Sequence, residues 1–214
     1  VGEAQASLLQ TALGVDTEDE VLISPSVGFS LDRRDSPLRP SRGGMFWVDL
    51  QSNRVVNGNG SSYYQLRNDI RLFRSAASWL VFGARSSLAY QFGKFPEYIR
   101  FGMGGAGTVR GYNNGVFEGN HRWIQSFETR ISPLPTWIFN VPYAKMIDVT
   151  LSSVLFVDTG ITWDNEQDFH QSKWHAGFGF GFRLYSPFQD VMRLDFGFNQ
   201  YGGKQIYFGT GNTF

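Results

Sequence analysis

The 214-residue chain has no cysteine and only three histidines. Lacking cysteine, it cannot be a small secreted domain stapled by disulfides, although an oxidising compartment stays open to it. Neither charge sign is in excess, with 19 Lys plus Arg against 19 Asp plus Glu. Nothing in that balance points to nucleic acid or to acidic lipid as a partner. No run of about 18 apolar residues occurs, which excludes a transmembrane helix. His121, His170 and His175 are too scattered for a metal set. Their spacing implies no serine or aspartate nucleophile beside any of them. The glycine run around Gly102 to Gly111 lacks the lysine and the strand-to-helix setting of a phosphate loop. No metal, cofactor or enzymatic step is therefore expected. The chain opens at Val1 without a methionine or an apolar signal core, so any export signal is expected to lie outside it.

What is present is aromatic and glycine-rich: 16% Phe, Trp and Tyr, and 25 glycines. Such a pairing suits a barrel, where aromatics form interfacial girdles and glycines serve turns and crowded walls. The six tryptophans, Trp47, Trp79, Trp123, Trp137, Trp163 and Trp174, fit interfaces or gap-filling better than ligand stacking. The mean hydropathy of −0.24 resembles that of a soluble protein, but an average hides strict alternation. From Trp174 to Leu184 the even positions are Trp, Ala, Phe, Phe, Phe and Leu, and the odd ones His, Gly, Gly, Gly and Arg. Met192, Leu194, Phe196 and Phe198 likewise oppose Arg193, Asp195, Gly197 and Asn199. The same period of two runs through Tyr64 to Leu72, Leu80 to Phe92 and Ile147 to Trp163. In the last of these Ile161 and Trp163 fall on the apolar side and Asp158 and Gly160 on the other. Weaker versions cover Ile23 to Leu31 and Phe46 to Leu50, and Arg122 to Ser132 and Gln205 to Phe214 complete the set.

Alternation of this kind specifies strands, and their length suits a bilayer crossing at the usual tilt. The polar face would gather Arg67, Asp69, Arg71, Arg85, Arg130 and Arg193, a set that cannot form a dry soluble core. Inverting the usual rule resolves the conflict, with lipid outside and water and ion pairs inside. The fold expected is all-β, an antiparallel transmembrane β-barrel of about ten strands, forming one domain over residues 1–214. Residues 1–21 are ambiguous, because Val1 to Leu13 is as helical in composition as it is strand-like. Short turns such as Ser36 to Pro40 and Ser186 to Gln189 alternate with longer loops, and residues 94–120 form by far the longest. A loop of that length calls for a function.

That loop reads Gly102-Met103-Gly104-Gly105-Ala106-Gly107-Thr108-Val109-Arg110-Gly111-Tyr112. It resembles the signature loop of the outer-membrane insertases and transporters typified by the assembly factor BamA, the bacterial surface antigen family. Three further segments resemble family motifs in the right order. They are Asp32-Arg33-Arg34-Asp35 with Pro40-Ser41-Arg42-Gly43, then Phe156-Val157-Asp158-Thr159-Gly160, then the terminal strand through Phe208, Gly209, Gly211 and Phe214. The resemblance spans residues 22–214.

It implies an outer-membrane location, with the 94–120 loop folded back into the lumen and Val109, Arg110, Gly111 and Tyr112 at its tip. The family precedent sets the arginine against carboxylates at positions matching Glu128 and Asp158. A guanidinium grips two carboxylates well in a planar fork, and in a wet lumen each contact would contribute about 1–3 kcal/mol. Glu128 and Asp158 could instead simply neutralise neighbouring arginines such as Arg122 and Arg130. The expected partners are the bilayer, unfolded outer-membrane clients and accessory assembly subunits, with Phe208, Gly209, Gly211 and Phe214 as folding signal and weak seam. A passive anchor or pore is the alternative. Family barrels are sixteen-stranded and preceded by soluble POTRA modules, so the chain corresponds either to the C-terminal part of such a barrel or to a reduced one.

Overall fold

The computed structural model describes residues 21–56, 61–132, 137–139, 147–186 and 189–211. Its strands are β1 (Leu22–Ile23), β2 (Ser26–Asp32), β3 (Gly43–Val55), β4 (Ser62–Ala77), β5 (Leu80–Lys94), β6 (Phe101–Met103), β7 (Phe117–Gly119), β8 (His121–Ile131), β9 (Trp137–Phe139), β10 (Ile147–Trp163), β11 (His175–Ser186), β12 (Gln189–Asn199) and β13 (Lys204–Thr210). A short 3-10 turn covers Glu166–His170. The main sheet is antiparallel in the order β1-β3-β4-β5-β8-β10-β11-β12-β13, with β2 beside β3 and β9 beside β10. Ile23 to Leu31, expected as one strand, is two pieces on the same edge of β3, parted at Ser24 and Pro25. Proline cannot donate to a ladder, so it belongs at such a break. Phe46 to Leu50 proves to be the middle of the much longer β3. Val1 to Leu13 and Phe214 lie outside the described residues.

Register carries the alternation into space. On β11 and β12, Phe178 pairs with Phe198, Phe180 with Phe196 and Phe182 with Leu194, while Gly181 pairs with Asp195 and Arg183 with Arg193. A slip of one residue would exchange the two faces along the whole strand. Phe180 and Phe196 stack with ring centroids 5.0 Å apart. The apolar side of this wall is bare: Phe178 is 51% exposed and Leu72 59%, whereas Arg183 and Asp195 on the other face are 1% and 0% exposed. The burial of a soluble protein is reversed, as a wall between hydrocarbon and a polar interior requires. Parity fails near one end of β10, where Ile161 and Trp163 are buried rather than facing outward. There Trp163 packs against His121 and against Phe169 of the 3-10 turn, with centroids 5.2 and 5.0 Å apart. The side chains of Trp137, Ile147 and Asp148 lie outside the described residues.

The sheet is strongly curled. Arg85 of β5 and Arg193 of β12 stand four positions apart, about 19 Å along a flat sheet. Yet they bond the carbonyls of neighbouring loop residues, Gly107 at 3.1 Å and Ala106 at 3.5 Å. The β2–β3 turn likewise reaches across the trough, where Arg39 Nη1 donates to Thr150 Oγ1 at 3.2 Å.

The expected closed barrel is not what the structure holds: among the described residues no ladder joins β13 to β1 or β2, and the sheet is an open trough. Topology supplies a reason. Eight antiparallel steps separate β2 from β13, so the two edge strands run in the same direction. Joining them directly would create a parallel seam in an otherwise antiparallel wall.

Replacing the outward Phe180 with arginine separates a lipid-facing wall from a solvated one. In phospholipid vesicles F180R should lower the unfolding free energy by about 2–4 kcal/mol. A change within about 0.5 kcal/mol, ordinary for an exposed soluble site, would contradict the lipid-facing assignment.

Candidate functional site

Residues 95–120 leave β5, form the small β6–β7 hairpin and return to β8. Between β6 and β7 the chain folds onto the concave face of the sheet. Gly104, Gly105 and Gly111 have φ of +115°, +94° and +96°, and the turn closes with Gly105 N–H donating to the Val109 carbonyl at 3.1 Å. Val109, Met103, Tyr112 and Ile124 of β8 make a small buried apolar cluster, with Phe117 against it. The concave side is therefore partly oily beneath the loop.

Arg110 is fully buried. Its Nε donates to Asp158 Oδ2 at 2.7 Å and its Nη2 to Asp158 Oδ1 at 2.9 Å, the two-pronged grip that a guanidinium offers a carboxylate. The backbone N–H of Arg110 also donates to Asp158 Oδ2, at 3.1 Å. Nη1 donates to Glu128 Oε1 at 2.9 Å. The guanidinium carbon lies 3.5 Å from the centroid of the Phe156 ring, close enough for cation–π attraction. Glu128 hydrogen-bonds two arginines at once, because its Oε2 accepts from Arg130 Nη2 at 3.2 Å. Arg122 donates to the Gly102 carbonyl at 2.6 Å, and among the described residues it takes no carboxylate.

The cluster is larger than sequence reasoning indicated. Arg183 Nη1 donates to Asp195 Oδ1 at 2.6 Å, and Asp195 Oδ2 lies 3.7 Å from Arg110 Nη1. Arg110, Arg130 and Arg183 thus face Glu128, Asp158 and Asp195, each at most 5% exposed. Charge balances within a dry volume, not in the wet lumen expected, and dry ions are tolerated only when paired in this way. Arg183 and Asp195 carried a legible signal, since both have the inward parity of their strands. What sequence could not supply was the curl that brings β11 within 3.6 Å of Glu128 on β8.

Glycines on the wall make room for the loop. Asp158 pairs with Gly177 across the β10–β11 ladder, and Phe156 with Gly179. A Cβ at Gly177 would overlap the Arg110 carbonyl oxygen. One at Gly160 would overlap Met103 Sδ and crowd Val109. Gly111 has a positive φ and lies against the backbone of Phe198 and Asn199. The other residues singled out from sequence lie apart from this cluster. Phe208 is 73% exposed on the outward face of β13, Gly209 pairs regularly with Arg193, and Gly211, with φ +81°, follows the end of that strand.

The Asp32 to Gly43 motif closes on itself. Arg34 Nη2 bonds Asp32 Oδ2 at 2.6 Å, and the Ser41 and Arg42 N–H groups donate to Asp35 Oδ1 at 2.8 and 3.1 Å. Partial desolvation opposes the Asp35 charge, but the hydrogen bonds outweigh it and hold that carboxyl at about 2. The histidines sit among aromatic rings: His175 stacks on Phe117 at 3.6 Å and His121 on Tyr90 at 3.9 Å.

Removing one member of a buried ionic set leaves the rest uncompensated. Arg110→Ala should therefore cost about 3–5 kcal/mol of unfolding free energy in denaturant titrations of vesicle-bound protein. Arg110→Lys keeps the charge but loses the fork and the stacking surface, and should fall between the alanine variant and the parent. Equal stability of all three would show that the cluster does not hold the loop.

Comparison with known proteins places the chain in a family. The outer membrane protein assembly factor BamA of Neisseria meningitidis serogroup B (strain ATCC BAA-335 / MC58) is 26% identical over 156 residues, which cover 68% of this chain and 19% of that protein. The chain thus spans about a fifth of the curated relative it matches. The Omp85 superfamily domain matches residues 9–214. With that match over nearly the whole sequence, the chain belongs to the Omp85 superfamily.

Proposed function

We propose that this chain forms part of the wall of an outer-membrane barrel that folds or translocates polypeptides by letting a client strand add to an open edge. The observation that carries the reading is the dry lock of Arg110 on Glu128 and Asp158, within a sheet whose convex face is apolar and whose edges, β2 and β13, have no further strand beside them among the described residues. In hydrocarbon an unpaired strand edge is costly, because no water satisfies its N–H and C=O groups. A strand laid against that edge regains those bonds through the main chain, with no demand on client sequence beyond alternation. Ile206 and Phe208 point outward from β13, so an alternating client would continue the apolar band.

The direction of the edges adds a constraint. Because β2 and β13 run the same way, an all-antiparallel closure needs an odd number of further strands between them. Other segments of a longer barrel or a captured client meet that requirement when they contribute an odd number of strands. The work proposed is conformational, with unfolded outer-membrane polypeptides as clients and accessory assembly subunits as partners, and includes no covalent step.

The test is a folding assay with a urea-unfolded eight-stranded barrel client and vesicles that contain or lack the protein. Faster client folding is expected, with Arg110→Ala removing most of the gain. A steady conductance in planar bilayers combined with unchanged client folding would overturn the reading in favour of a passive pore or anchor.

A further inference from the structure

The inward face of β13 carries only Gln205, Tyr207 and Gly209, and both of its side chains reach the long loop. Tyr207 Oη accepts a hydrogen bond from the Gly111 N–H at 2.9 Å and donates one to the Tyr112 carbonyl at 2.7 Å. It thereby bridges the two residues that follow Arg110. Gln205 Nε2 donates to Asn113 Oδ1 at 2.8 Å. The neighbouring strand adds one bond to the same turn, from Asn199 Nδ2 to the Gly111 carbonyl at 2.7 Å. On its other side β13 has no ladder among the described residues, and β12 is its one paired neighbour there. The edge strand is therefore held by a single ladder and by the locked loop.

We propose that Tyr207 is a positioning residue that clasps the edge strand to the locked loop, so that loosening of the loop and release of the β13 edge are one coupled event. The chemistry suits a clasp. A phenol hydroxyl can accept and donate together, and here it satisfies one N–H and one carbonyl at a turn whose glycine has a positive φ. Losing the hydroxyl leaves both backbone groups without that partner, and half-satisfied polar networks are weak points. Coupling of this kind is reciprocal: whatever the loop does to the edge, the edge does to the loop. The proposal rests on the edge-opening reading above for its purpose, but its geometry stands without it.

Backbone hydrogen exchange on the full chain in phospholipid vesicles tests the clasp apart from any activity. Tyr207→Phe keeps the ring and removes only the hydroxyl. It should quicken exchange about tenfold in both the 204–210 strand and the 104–116 turn. Arg110→Ala should quicken β13 as well as the loop, and in the double variant the two effects should fall short of their product, the mark of a shared network. Gln205→Ala, which spares the bridge at Gly111 and Tyr112, should have a smaller effect on the turn. A Tyr207→Phe effect confined to β13, an Arg110→Ala effect confined to the loop, or simple multiplication of the two would overturn the proposal. The edge-opening reading is judged separately by client folding: coupled exchange with unchanged client folding would leave the clasp standing and remove that reading, whereas accelerated client folding without coupled exchange would remove the clasp alone.

Discussion

A guanidinium taken out of water must be given carboxylates, and much of the concave side of this protein is arranged to do so for Arg110. Asp158 takes it with both oxygens, Glu128 with one, and the Phe156 ring covers a face. Those partners come from two neighbouring strands, so the loop end is fixed to the wall and not to itself. Arg130, Arg183 and Asp195 complete a neutral set. Small residues on the opposing strands follow from the same demand, because the loop backbone passes over Gly177 and Gly197 too closely for any side chain there. At these positions strand glycine is the imprint of a buried loop, whereas Gly179 and Gly181 make room for Phe156 and Asp195.

The wall around this lock obeys a second constraint, imposed by its surroundings. Apolar side chains stand outward with little from the described residues over them, and charged ones turn inward to find partners. Beside the lock the inward charges form more exposed pairs, such as Arg67 with Asp49 and Arg71 with Asp69, while Arg85 joins Asp69 to the loop carbonyl of Gly107. Arg67 there keeps much of its side chain exposed, so water reaches that part of the trough. The concave side thus has two regimes, a dry ionic lock under the loop and a wetter ladder beside it. The first holds the loop more firmly, since exposed pairs contribute little.

The strands and their facing were legible because a period of two survives any uncertainty about the partner strand. The runs from Trp174 to Leu184 and from Met192 to Asn199 show it most plainly. The partners of Arg110 entered through resemblance supported by parity, and the structure brings Arg110, Glu128 and Asp158 together. Four features lay beyond the sequence for physical reasons. The open edge depends on the count and direction of strands, which period alone does not fix. The burial of Ile161 and Trp163 depends on the 3-10 turn near Phe169 covering an end of β10. The roles of Arg183, Asp195 and Tyr207 depend on curl, which brings distant strands to one point while leaving local patterns unchanged. The hairpin of Phe101–Met103 with Phe117–Gly119 was hidden for a related reason, its strands being too short to show a period.

The claim on which all of this turns is that the Arg110 guanidinium is held dry between Asp158 and Glu128. The Nε–H resonance of Arg110 in lipid nanodiscs reports on it directly. If the account is right, that proton exchanges slowly, its signal persists for hours after transfer to heavy water, and it fades quickly once Asp158 is replaced by asparagine. A signal already gone at the first spectrum of the parent protein would mean that water reaches the guanidinium, and the dry lock would have to be abandoned.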